Sequence, residues 1–275
     1  MRNVHEVKSS GKATTSRRQL SASLFAIASA AAMGVCLAAS ASQAATITWQ
    51  APAAVSSTTI LDTIPGEYTG ASLQQSVYFG QDTSAYTVST AGGQHISFTH
   101  GAASASGPGG SGTGLFYSGV QKLSGVSNPT SDTNFNNVLL NDGWASSGNP
   151  ANPQTLQIGG LTVGTTYAIQ LLAYDGRSGS STRTEEFADT ANATGSNSAS
   201  FSTFSAKSVI GTFTAGASTQ DVYVWDTIAG AGVNHWDTTV SAFTLYTAPV
   251  PEPASVGLLG IGAIGLLFLK KRKTA

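Results

Sequence analysis

Residues 156–177 read LQIGGLTVGTTYAIQLLAYDGR and are the most strongly patterned stretch of the chain. Thr155-Leu156-Gln157-Ile158 predicts a short strand, and Gly159-Gly160 predicts the turn that ends it. Ala168 to Tyr174 is a second, longer strand, apolar at nearly every position. Asp175-Gly176-Arg177 follows it directly and offers an opposite-charge pair at a strand end.

Strand signals continue on both sides of this stretch. Upstream lie Thr46–Trp49, a weaker candidate over Ser56–Ile64, then Leu73–Phe79, Tyr86–Val88, His95–Thr99 and Leu115–Tyr117. Downstream lie Phe201–Phe204, Ser208–Phe213, Gln220–Trp225 and Thr239–Tyr246. Pro52, Pro65-Gly66, Gly92-Gly93 and Ser127-Asn128-Pro129 punctuate them, and the Gly- and Ser-rich run 101–114 reads as a surface loop. One segment has helical period: Phe135, Val138 and Leu139 stand at i, i+3 and i+4, with Asp132 or Thr133 as cap and Asn141-Asp142-Gly143 as stop. Many short strands at 8–12-residue spacing with one short helix predict an all-β, antiparallel β-sandwich or jelly roll. Leu161-x-x-Gly164-x-x-Tyr167 resembles the tyrosine corner of β-sandwiches, in which a Tyr hydroxyl bonds backbone across a turn. A fibronectin type III domain uses the same local pattern. It would end some 25 residues past Tyr167, whereas the patterned body runs on to about residue 247.

The two ends of the chain read differently from this body. Arg2, Lys8, Lys12, Arg17 and Arg18 precede an apolar run from Leu20 to about Ala39, and Ser42-Gln43-Ala44 supplies small residues for a signal peptidase. Residues 1–44 are expected to be a signal peptide, cleaved between Ala44 and Ala45. Ser16-Arg17-Arg18-Gln19-Leu20 resembles a twin-arginine signal, so both the Sec and the Tat translocase remain open as the export route. Cys36 is the one cysteine, and it leaves with the leader, so the mature body holds no thiol. At the other end, residues 248–275 carry Pro251-Glu252-Pro253, an apolar run over 254–269, and the basic stop Lys270, Lys271, Arg272, Lys273. As a helix the run is ~24 Å long, short against a hydrocarbon core of ~30 Å, and the flanking lysines can snorkel. A positive leader and a positive tail place both ends inside and residues 45–247 outside.

The order of motif, apolar helix and basic cluster resembles the PEP-CTERM sorting signal of exopolysaccharide-producing Gram-negative bacteria. The same signal carries the label "ice-binding protein C-terminal domain", which gives no reason to expect ice binding. The resemblance implies exosortase as a partner. It further implies anchoring in the inner membrane in transit, then the cell envelope, cell surface or extracellular matrix as destination. Ile47-Thr48-Trp49, Leu156 to Arg177, Val209 to Ala215 and Val240 to Tyr246 also resemble the secreted β-sandwich ectodomains of such proteins in Verrucomicrobia-like bacteria. That likeness implies a fold and no reaction.

The formal charge of −1 for the whole chain hides the character of the body. Between residues 45 and 249, twelve acidic residues stand against Lys122, Arg177, Arg183 and Lys207, leaving about −8. Such a surface repels nucleic acid. No catalytic residue and no cofactor is expected. An Asp-Arg pair can clamp a sugar hydroxyl or carboxylate, and indole rings can stack on sugars, so Trp144, Asp175, Arg177, Trp225 and Trp236 are the candidate ligand-binding residues for extracellular polysaccharide. The structural alternatives are a salt bridge holding the 175–186 loop and core tryptophans. Two other classes stay open. A glycan hydrolase would draw its acids from Asp175, Glu185, Glu186 and Asp226, with Glu185-Glu186 otherwise a solvated edge. An adhesin would bind Ca²⁺ through acidic loops, although no full Asp-x-Asp-x-Asp loop is present. His95 and His100, five apart across a strand, fall on different faces, and His235 stands alone, so no metal site is expected from them.

Overall fold

The structure is a computed structural model that describes residues 45–107, 111–145, 153–177, 183–228, 232–234 and 238–248. The signal peptide with Ala44, the sorting segment with Pro251 to Lys273, and His235 and Trp236 therefore lie outside the described residues. Among the described residues no helix is long and apolar enough to cross a membrane.

Among the described residues the fold is all-β, as expected, with two short α-helices where one was expected. In order the strands are β1 (Thr48–Trp49), β2 (Ala53–Ala54), β3 (Ser72–Tyr78), β4 (Tyr86–Ser89), β5 (His95–His100), β6 (Ala102–Ser104), β7 (Gly114–Phe116), β8 (Ser118–Lys122) and β9 (Asn141–Ala145). They continue with β10 (Gln154–Ile158), β11 (Thr166–Ala173), β12 (Arg183–Ala188), β13 (Lys207–Thr214), β14 (Gln220–Ile228), β15 (Gly232–Asn234), β16 (Thr239–Val240) and β17 (Ala242–Thr247). The helices are α1 (Thr63–Glu67) and α2 (Thr133–Leu140). One sheet runs β1-β13-β11-β17-β3-β5-β4, a second β12-β14-β10-β7-β6, and a small third β16-β9-β8.

The sandwich forms because the inward residues of the first two sheets meet. Ile169, Leu171, Phe243, Leu245, Val209 and Phe213 from the first pack with Leu156, Ile158, Val222, Val224 and Phe187 from the second. The other face of β11 is buried as well. Leu172 joins Phe135, Val138 and Leu139 of α2 in a second cluster, and Ala168 joins Ile64 of α1 in a third. Burial on both faces explains why Ala168–Tyr174 is apolar almost throughout instead of alternating. The tyrosine corner is present: the Thr162 N–H donates to the Tyr167 hydroxyl at 2.9 Å, and the ring stacks on Phe213.

Several local expectations are corrected. Within Ser56–Ile64 the chain is helical from Thr58 onward, with a 3₁₀ turn at Thr58–Asp62 running into α1. The Ser57 hydroxyl caps that turn, and Leu61 and Ile64, three apart, are its buried residues, a spacing that a strand reading overlooks. Phe201–Phe204 is no strand. Phe201 makes one bridge to Glu185, and the chain then turns. The Gly- and Ser-rich run 101–114 is not wholly loop, since Ala102–Ser104 within it pairs with Gly114–Phe116 at its end. That pairing is parallel, as is β3 with β5, against the expectation of a purely antiparallel sandwich. Helix α2 begins as expected, the Asp132 carboxylate accepting from the Phe135 N–H at 2.7 Å, but its stop residues continue directly into β9.

Candidate functional site

Strand β11 ends at Ala173, and Tyr174-Asp175-Gly176-Arg177 follow it directly. Asp175 is fully buried there. Its carboxylate grips Arg177 through two contacts, 2.6 Å to Nε and 2.7 Å to Nη2, and accepts from Arg183 Nη1 at 3.4 Å. Arg177 Nη1 donates to Gln121 Oε1 at 3.3 Å, and Gln121 Nε2 donates to Asp142 Oδ2 at 3.2 Å. Thus β8, β9, β12 and the segment that follows β11 are joined by one polar chain. The expected Asp-Arg pair forms, and it is a structural salt bridge on the Asp175 side. On the Arg177 side 40% of the side-chain surface remains exposed.

Glu185 and Asp226 stand directly opposite each other on β12 and β14, with only 1% and 0% of their surfaces exposed. The reading of Glu185 as part of a solvated edge is therefore corrected. Sheet register turns Glu185 inward, and Glu186, the next residue, is half-buried on the other face. Glu185 Oε1 accepts from the Thr239 N–H at 2.7 Å and its hydroxyl at 3.1 Å, while Oε2 has no hydrogen-bond partner. Burial pushes the Glu185 carboxyl well above the usual range, and the charges of Asp226 and Asp142 push it further, against the pull of the Thr239 donors. Asp142 is fully buried and likewise raised, first by burial and then by Asp175, against the Gln121 hydrogen bond and Arg177. Among the described residues no three His, Cys, Asp or Glu side chains are placed to hold a metal ion.

The aromatic candidates separate. Trp225, on β14 across from Glu186, is 8% exposed and belongs to the body of the second sheet. Trp144, on β9, is half-buried over Gly119, where a Cβ would come within 2.7 Å of the indole. His95 and His100 are exposed at opposite ends of β5; Nδ1 of the first contacts the Ser89 hydroxyl and Nε2 of the second the Gly80 carbonyl.

Sequence reasoning missed the open feature beside this cluster. A cleft of about 370 Å³ is lined by Ser124, Val126, Ser127, Arg177 and Phe204, among others. Tyr174 donates its hydroxyl to the Ser127 carbonyl at 2.7 Å and so pins the 124–127 loop to the end of β11. The Asp175 N–H donates to the Thr203 carbonyl at 2.8 Å and pins the turn that carries Phe204. Gly176 lies between these anchors because a Cβ there would collide with the Tyr174 hydroxyl. Phe204 remains 46% exposed. The signal that could have found it is its place one residue past Thr203, in a run whose other aromatic, Phe201, is buried.

The fold defines the class: a β-sandwich body that buries Asp142, Asp175, Glu185 and Asp226, followed in sequence by a C-terminal segment of a different composition. Residues 249–273 match the family model of the PEP-CTERM protein-sorting motif. The chain carries a PEP-CTERM sorting motif, which indicates an exported protein sorted by exosortase to the cell envelope. No curated protein and no solved structure matches the chain.

Proposed function

We propose that the protein is a non-catalytic component of the cell envelope or extracellular matrix of a Gram-negative bacterium, associated with exopolysaccharide. Its leader is removed by signal peptidase after passage through the Sec or Tat translocase, and its C-terminal helix holds it in the inner membrane until exosortase acts. The observation that carries the non-catalytic reading is the enclosure of the acids. A glycosidase needs two carboxylates ~5–10 Å apart flanking a sugar. Here Asp175, Glu185 and Asp226 are buried, Glu186 is half-buried on the face of β12 away from Glu185, and the open cleft next to Asp175 is lined by Arg177, Phe204, Ser124 and Ser127.

The test is a panel of soluble glycans run with the exported protein, with and without calcium, scored both for retention and for released reducing ends. Retention without release supports the proposal. Release would make the protein a hydrolase, and retention that requires Ca²⁺ would make it a calcium-dependent adhesin.

A further inference from the structure

The cleft beside Asp175 is built from three separate stretches of chain, and each is fixed before any ligand arrives. The 124–127 loop is tied down by the Tyr174 hydroxyl. The guanidinium of Arg177 is held in one plane by the two-point grip of a fully buried carboxylate. The turn bearing Phe204 is held by the backbone of that same Asp175. An aromatic ring left almost half exposed gains nothing from the core it borders, since Phe201 and Ala206 on either side are buried and Phe204 is not.

We propose that this cleft is a subsite for one pyranose ring, with Phe204 as the platform under the apolar face of the sugar and Arg177 as donor to a ring-substituent oxygen. The inference rests on the glycan-associated reading above and names the surface that would do the binding. Aromatic rings supply rigid contact area at small entropic cost, and a planar guanidinium with its orientation already set loses little on forming a further hydrogen bond. The volume of about 370 Å³ falls within the range of small-molecule sites, ~300–1,000 Å³. Ser124 and Ser127 belong to the same lining. Asp175 is a positioning residue here, because it is fully buried and reaches the cleft through Arg177 and through the Thr203 turn.

The same ring chemistry occurs in neutral glucans and in uronate polymers. The body charge of about −8 opposes a polyanion away from Arg177, so a neutral chain is the favoured source. The experiment is affinity electrophoresis of the full chain in non-ionic detergent through gels containing a neutral glucan or polygalacturonate. The wild type is retarded, Phe204→Ala loses roughly tenfold in retention, and Arg177→Lys loses a similar factor. Val163→Ala, at a remote exposed position, behaves as wild type. Retention on the glucan alone identifies neutral hexoses. Retention on polygalacturonate alone, weakening with salt, identifies uronates at Arg177. Phe204 is on the surface, so its variant keeps the test valid if Arg177→Lys fails to fold. If Phe204→Ala is retained like the wild type, glycan association stands and this subsite falls. If the wild type passes both gels unretarded, the glycan reading itself falls and takes the subsite with it.

Discussion

Replacing Glu185 by Gln should stabilise the protein at alkaline pH and leave it almost unchanged in acid. Glu185 is enclosed between β12, β14 and β16, and only one of its two oxygens has donors, both from Thr239. Its carboxyl is raised by burial and by Asp226 and Asp142, so the folded state binds a proton more tightly than the unfolded chain does. The stability from that proton is fully present below the ordinary Glu value of 4.5 and is lost as pH rises through the folded value. Asp142, raised for the same leading reason, acts in the same direction. Gln keeps an oxygen for Thr239 and can never ionise. A buried charge without a full set of partners costs about 1–3 kcal/mol, which for a body of some 200 residues corresponds to roughly 2–4 °C per kcal/mol. Melting curves by circular dichroism from pH 4 to pH 9 should show the variant and wild type coinciding at the acid end. The variant should melt about 2–12 °C higher at the alkaline end. A gap that does not change with pH, or a variant less stable at pH 9, would refute the reasoning. Repeating the melts with a calcium chelator would test whether a bound cation neutralises Glu185.

Three further outcomes are expected. Tyr167→Phe removes the acceptor for the Thr162 N–H and should cost about 1 kcal/mol, read as a lower urea midpoint at unchanged slope. Asp175→Asn breaks the two-point contact to Arg177 and the contact to Arg183 from a fully buried position, and should cost about 3 kcal/mol by the same measurement. Lys122 and Asp82 form a contact of 2.6 Å between partly exposed side chains, which holds Asp82 down at about 2. Its stabilisation is present at neutral pH and fades as pH falls toward that value. Lys122→Ala should therefore flatten the acid limb of the stability profile by less than about 1 kcal/mol.

Period and punctuation carried much of the fold. The alternation of His95–Thr99, the i, i+3, i+4 triplet of α2 and the Leu-x-x-Gly-x-x-Tyr corner each depend on neighbours within a few residues. The 58–67 helical turn was hidden because five-residue elements present too few positions to separate a period of 3.6 from one of 2. The short parallel pairings of β3 with β5 and β6 with β7 were hidden because pairing direction is decided by partners elsewhere in the sheet. The site was legible in part. Asp175 and Arg177 are two apart in sequence and readable as a pair, whereas Gln121, Asp142 and Phe204 are brought to them across 21 to 56 positions of chain.

The sequence by itself determined the address of the protein, because a sorting signal is read as a linear order of motif, apolar run and basic cluster, and it determined the β class of the body from local patterning. Tertiary structure alone decided what the charged residues are for. Glu185 and Glu186 are identical neighbours in sequence, and strand alternation buries one against Asp226 and turns the other away. The pairing of β12 with β14 sets the proton affinity of Glu185, and the packing of three loops around Asp175 sets the exposure of Arg177 and Phe204. Burial and pairing are properties of the assembled sheets, and no local window of residues contains them.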